Sequence, residues 1–199
     1  VTWLVAGEIA VAGVFLGLGM YTYQAIRLLP ALVVFSVAAS AWDRGRISRF
    51  EWRGLIIVVV VSLLVFAPLA IHFITHPGSF SRRIEEAIVV QPEQGALTSL
   101  HAIADQAGET LLAFSFVGDE TPYSTIPGRP SLNPFFSALF FLGIGASVAE
   151  IKKPSRALLL AWLALMTVPA MLAGKGPTAK RAIGTLPAVS MLIAVGAVS

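Results

Sequence analysis

The chain has 199 residues, 56% of them hydrophobic and only 13% charged, with 14 lysines and arginines against 11 carboxylates. A mean hydropathy of +0.81 excludes an ordinary soluble globular domain and describes an all-α membrane protein, a polytopic bundle of helices. The absence of cysteine excludes a disulfide framework and a thiolate metal site, and cations gathered at helix ends, not on one solvated face, exclude a nucleic-acid partner.

Several runs reach about 17 to 20 apolar residues, the length that carries a helix across roughly 30 Å of hydrocarbon. The first, Val1 to Leu18, begins without a methionine or a basic leader region, so it does not read as a signal peptide. The chain reads as a fragment truncated at both ends. Gly13 and Gly17 are spaced for close helix packing. Glu8 in the same run is either a functional carboxylate or a group turned toward a polar bundle interior or the interface.

A second span runs from about Tyr23 to Trp42 and carries Arg27 and Pro30 in its first turns. Arg27 reads as a snorkelling cation beside an aromatic belt of Tyr21 and Tyr23, or as a cation aimed into a site. The loop Asp43 to Arg53 holds four arginines and is expected to be cytoplasmic. Leu55 to Ile74 is the third span, with Pro68 as a kink.

Residues 75–132 form one long polar loop, expected outside. Within it Leu97, Leu100, Ile103, Ala104, Ala107 and Leu111 recur at helical spacing, opposite Asp105, Gln106 and Glu109, which describes a helix on the membrane surface. Asn133 and Pro134 supply a helix start, an N-cap followed by proline at the first helical position, for a fourth span to about Ala149. Lys152, Lys153 and Arg156 mark a second cytoplasmic loop. A fifth span covers about Ala157 to Ala173, and a sixth starts near Ile183, giving about six spans in one transmembrane domain of 1–199.

This alternation leaves Lys175, Lys180 and Arg181 outside, against the usual bias. Lys180 and Arg181 precede the sixth helix, and with its unpaired N–H groups they would suit a phosphate; the competing readings are nonspecific contact with lipid head groups and a topology other than this alternation. Asp119 is either an Asx turn or a catalytic carboxylate, and His76 a helix-end residue or a general base. Pro127-Gly128-Arg129-Pro130 is first a rigid turn, from which Arg129 could reach a ligand. His72 and His76 lack the carboxylate that a zinc-hydrolase motif would place between them, and no metal or cofactor is expected.

Several stretches in order resemble one family. They are Gly17 to Tyr23 with Arg27 and Pro30, His76-Pro77 with Phe80 and Arg83, Gly118-Asp119 leading to Pro127–Pro130 and Asn133-Pro134, and Lys180 to Gly184 with Pro187. They are similar to the C-terminal half of GT-C fold integral-membrane glycosyltransferases, in the group of bacterial protein mannosyltransferase-like and aminoarabinose transferase-like enzymes. The resemblance implies a polyprenyl-phosphate-linked sugar as donor and transfer on the extracytoplasmic face of the cell membrane, to a protein, lipid or glycan acceptor. It also implies a catalytic carboxylate upstream of this sequence, so that the chain contributes the donor and acceptor cavity. Arg27, Lys180 and Arg181 are the expected donor-phosphate residues, and His76, Arg83, Asp119 and Arg129 the further cavity or loop candidates. The main rival is a transporter or flippase, against which the absence of internal repeats counts; a membrane scaffold with a protein-binding loop is the third reading.

Overall fold

The computed structural model describes residues 3–22, 24–76, 96–118, 126–172 and 181–199. Within them all the regular secondary structure is helical, with seven α-helices: α1 (Trp3–Gly19), α2 (Leu29–Arg44), α3 (Arg49–Thr75), α4 (Ala96–Ser115), α5 (Pro134–Ala149), α6 (Pro154–Met171) and α7 (Leu186–Val198). Short 3-10 turns at Gln24–Leu28 and Ile183–Thr185 lead into α2 and α7. Two helices, α3 with 27 residues and α6 with 18, are long and apolar enough to cross a membrane by length and composition. The other four apolar helices run to 10–17 residues. The chain divides into two compact units, Val1–Phe80 with Lys152–Leu158, and Ser81–Ile151 with Leu159–Ser199.

In the first unit α1 packs along α3, and the glycine spacing is the reason. A methyl group at Gly13 would stand 2.9 Å from Val61 Cβ, and one at Gly17 would stand 2.7 Å from Val65 Cβ and 2.8 Å from the Ser62 carbonyl. Only hydrogen fits there, so the two backbones approach as a small-residue stripe allows. Ser62 is buried at this contact and donates its hydroxyl to the Val59 carbonyl at 3.0 Å, so burial leaves that donor satisfied. Glu8 lies on the exposed side of α1.

The arginine-rich loop is shorter than its sequence suggests, because α3 begins at Arg49 rather than near Leu55. Gly45 ends α2 in the left-handed conformation at φ 67°, which glycine adopts without steric cost. Ser48 then caps α3: its Oγ accepts from the Glu51 N–H at 3.1 Å, and the Glu51 carboxylate accepts from the Ser48 N–H at 2.9 Å. This reciprocal capping box is closed by an ion pair from Arg44 to Glu51. The sequence Ser48-Arg49-Phe50-Glu51 carries the signature, so the helix start was legible there.

In the second unit α5 packs along α7 through glycines on both helices. A methyl group at Gly143 would collide with the Leu192 carbonyl, and one at Gly196 with the Leu139 carbonyl. Phe114, Phe140, Val189 and Leu192 form the buried cluster around this crossing. Asn133 is the N-cap of α5, as its sequence predicts, accepting from the Phe136 N–H at 2.9 Å, with Pro134 in the first turn.

The segment leading to Asn133 is pinned to the end of α4. Arg129 N–H donates to the Ile126 carbonyl at 3.1 Å, closing a turn in which Gly128 has φ 75°, and the Ser131 and Leu132 N–H groups donate to the Ala113 and Phe114 carbonyls. Proline followed by a positive-φ glycine at the centre of such a turn is the pairing that its geometry requires. Gly118 packs directly on the Arg129 backbone, where a methyl group would collide.

The faces of α4 are assigned differently from the sequence expectation. Gln106, expected beside Asp105 and Glu109 on the polar side, is buried, together with Ser99 and Thr110, whereas Leu100 is 62% and Leu111 54% exposed. Periodicity separates the faces of a helix, but which one turns inward depends on the medium outside.

Candidate functional site

The described candidates that come together do so at the C-terminal end of α3. Three local features build the site. Tyr21, just past α1, donates its hydroxyl to the Val65 carbonyl of α3 at 2.9 Å. Gly19 lets the chain fold back, since a methyl group there would stand 2.9 Å from Ile26 Cγ2. The 3-10 turn Gln24–Leu28 then carries Arg27, whose guanidinium carbon lies 5.2 Å from the centre of the Phe73 ring, within cation–π range.

Phe73 is flanked by His72, and the His72 and His76 rings stack with centroids 4.6 Å apart. The Thr75 hydroxyl donates to the Ile71 carbonyl at 2.9 Å and stands 2.9 Å from His76 Nδ1. Arg27 is half-buried while both imidazoles are exposed. The end of α3 therefore presents one partly desolvated cation and two groups able to exchange protons. Such a set can bind an anionic oxygen and hold a proton near it. Among the described residues no group of three histidine or carboxylate side chains converges as metal ligands.

Arg27 and His76 thus share one end of the first unit. Arg129 and Arg181 belong to the second, Arg129 exposed on its turn and Arg181 half-buried. Arg83, Asp119 and Lys180 lie outside the described residues. Arg181 does not directly precede an α-helix: the 3-10 turn Ile183–Thr185 intervenes, Thr185 N–H donates to the Ala182 carbonyl at 2.9 Å, and α7 starts at Leu186. Trp162 of α6 donates its indole N–H to the Gly184 carbonyl at 2.9 Å, and a methyl group at Gly184 would stand 3.0 Å from Met166 Sδ. Trp162 therefore fixes the turn that follows Arg181. The signal for it was chemical, since an indole N–H inside an apolar helix requires an acceptor.

A second feature lies at the opposite end of α3. A cleft of about 430 Å³ opens among α2, the start of α3 and the first turns of α6, lined by Ser36, Ser40, Glu51, Ser155 and Leu158 among others. Glu51 is engaged there. The Ser48 backbone N–H first, and the Arg44 guanidinium next, hold its carboxyl well below the usual carboxylate range, at about 2.

No known family model, no curated protein and no solved structure matches the chain.

Proposed function

We propose that the chain is the C-terminal transmembrane part of a glycosyltransferase that uses a polyprenyl-phosphate-linked sugar, forming its donor and acceptor cavity on the extracytoplasmic face of the cell membrane. The observation that carries this reading is Arg27. Its guanidinium rests on Phe73 beside His72 and His76, at the end of α3 opposite the arginine-bearing turn. The leaving group in such a transfer is a lipid phosphate, and a partly desolvated guanidinium at interface depth neutralises charge developing on it. Arg181 and Lys180 are assigned the same role, and His76, Arg83 and Arg129 are the cavity or loop candidates. Asp119 is retained as a candidate carboxylate in that loop.

The membrane part of the reading has separate support. The apolar helices turn large side chains outward, Phe15 at 69%, Leu64 at 69% and Ile74 at 79% exposed. In water each would forfeit roughly 25 cal/mol per Å² of apolar surface, a cost that lipid removes. The inward Ser99, Gln106 and Thr110 of α4, with Leu100 and Leu111 outward, suit a helix lying at the membrane interface. About six spans, with α4 outside them, complete the arrangement.

The reading is tested in the full-length protein by measuring release of polyprenyl phosphate from its sugar-linked donor. Arg27→Ala, Lys180→Ala and Arg181→Ala are each expected to lower kcat/KM by about ten- to a hundredfold, as loss of one charge-assisted hydrogen bond of roughly 1.5–3 kcal/mol implies. Lys152→Ala serves as the reference, with an expected change below about twofold. Equal, small effects from all four would reduce the cations to head-group anchors. Solute flux without release of polyprenyl phosphate would transfer the chain to the transporters.

A further inference from the structure

At the far end of α3 from Arg27, the α2–α3 turn carries two kinds of side chain that are seldom exposed together. Arg46, Arg49 and Arg53 are exposed and make no ion pair among the described residues, and between them stand Ile47, Phe50 and Trp52, also exposed. Trp42, at the end of α2, is 88% exposed. The turn is held rigid by the left-handed Gly45, the Ser48–Glu51 capping box and the Arg44–Glu51 ion pair. Arg44 is thus engaged internally, while the other three arginines face outward.

We propose that this turn is a recognition surface for anionic phospholipid. The mixture of side chains selects that occupant. Guanidinium groups take phosphate oxygens in paired hydrogen bonds, whereas indole, phenyl and isoleucine side chains need an apolar phase, with indole preferring the boundary between the two. A nucleic acid or an acidic protein offers the anions without the acyl layer. A zwitterionic bilayer offers the acyl layer without net charge. Only an anionic leaflet satisfies both. The position agrees, because α3 is about 40 Å long at 1.5 Å per residue, longer than roughly 30 Å of hydrocarbon, so a membrane that holds Leu55–Ile74 leaves Arg49–Arg53 at the headgroup level. The inference rests on the membrane part of the reading above and is independent of the transferase part.

The sequence contains no cysteine, so an Ile47→Cys variant of the full chain can be labelled with a fluorophore at the turn alone. It is reconstituted into phosphatidylcholine nanodiscs containing graded phosphatidylglycerol, with brominated acyl chains on one lipid or the other. Brominated phosphatidylglycerol is expected to quench the label at least about tenfold more effectively per lipid than brominated phosphatidylcholine, given an attraction of order 1 kcal/mol per cation near a charged surface. Arg46→Gln/Arg49→Gln/Arg53→Gln should bring that ratio to about one with unchanged helix content, whereas Lys152→Gln should leave it within about twofold. A ratio near one in the parent chain, or a preference that survives the triple substitution, would overturn the proposal. Loss of the preference on adding inorganic phosphate at constant ionic strength would also overturn it, by assigning the turn to free anions. Failure of the chain to enter nanodiscs at all would overturn the membrane reading together with it.

Discussion

The two glycine-mediated helix pairs differ in which atoms meet. Between α1 and α3 the tightly packed glycines, Gly13 and Gly17, lie on α1 and meet Val61 and Val65 Cβ as well as the Val58 and Ser62 carbonyls at 2.7–3.0 Å. Between α5 and α7 each helix contributes a glycine, and Gly143 and Gly196 each face the other helix's carbonyls. A Cβ or a carbonyl within a helix moves only if the helix moves, so a methyl group at either crossing must push two helices apart, by less where the atoms met stand at 2.7–3.0 Å than where a carbonyl is met head-on. The first crossing therefore admits a methyl group after a small helix shift, and the second only after a larger one.

The largest expected effect follows from that difference. Gly143→Ala or Gly196→Ala should destabilise the protein by roughly 3 kcal/mol or more, the upper range for overpacking, measured as a fall in the thermal midpoint in detergent. Helix propensity alone would predict the opposite sign, since alanine is favoured over glycine by about 1 kcal/mol in a helix interior. A midpoint that rises in either variant would show that α5 and α7 do not approach as described.

Gly17→Ala should cost less, about 1–3 kcal/mol, because a smaller separation of α1 and α3 makes room for the methyl group. Gly145, exposed and with nothing within 4 Å of an added methyl group, provides the internal reference. Gly145→Ala is expected to stabilise by about 0.5–1 kcal/mol. If Gly17→Ala and Gly145→Ala shift the midpoint in the same direction, the contrast between packed and open glycines fails.

The smallest effect separates the α1/α3 crossing from the turn that starts α3. Ser48→Ala should cost about 1 kcal/mol through the lost cap. The Glu51 carboxyl is held at about 2 against an ordinary value of 4.5, so its folded-state pKa is depressed. The contribution of the turn is then fully present above the unfolded value and is lost as pH falls from about 4.5 toward 2. Glu51→Gln should abolish that acid-side loss while leaving the neutral-pH behaviour of α5 and α7 unchanged; the check is the pH dependence of amide exchange at Trp52 and Arg53.

What could be read from the sequence follows the same division between local and non-local causes. Gly13 and Gly17 stand four apart on one helix and announce a packing face by themselves, and Asn133-Pro134 announces a helix start. Gly143 and Gly196 acquire meaning only as a pair on separate helices, and no local spacing connects them. Gln106 was assigned to the wrong face because period 3.6 sorts residues without stating whether lipid, water or protein lies outside. At the candidate site, Arg27 was legible as a cation out of place in an apolar run. Its partner Phe73 was not, since the encounter depends on a 3-10 turn and on the Tyr21 bond to Val65, neither of which has a sequence period.

The donor-site reading requires that the two ends of α3 face opposite sides of the membrane, with the turn at Ile47 inside and the loop containing Ile126 outside. Both residues are exposed, and the chain has no cysteine of its own, so Ile47→Cys and Ile126→Cys can each be probed with a membrane-impermeant maleimide on intact cells. The account predicts labelling of Ile126→Cys before permeabilisation and of Ile47→Cys only after it. Labelling of Ile47→Cys from outside, with Ile126→Cys protected until the membrane is opened, would contradict it and remove Arg27 from the face where the lipid-linked sugar is used.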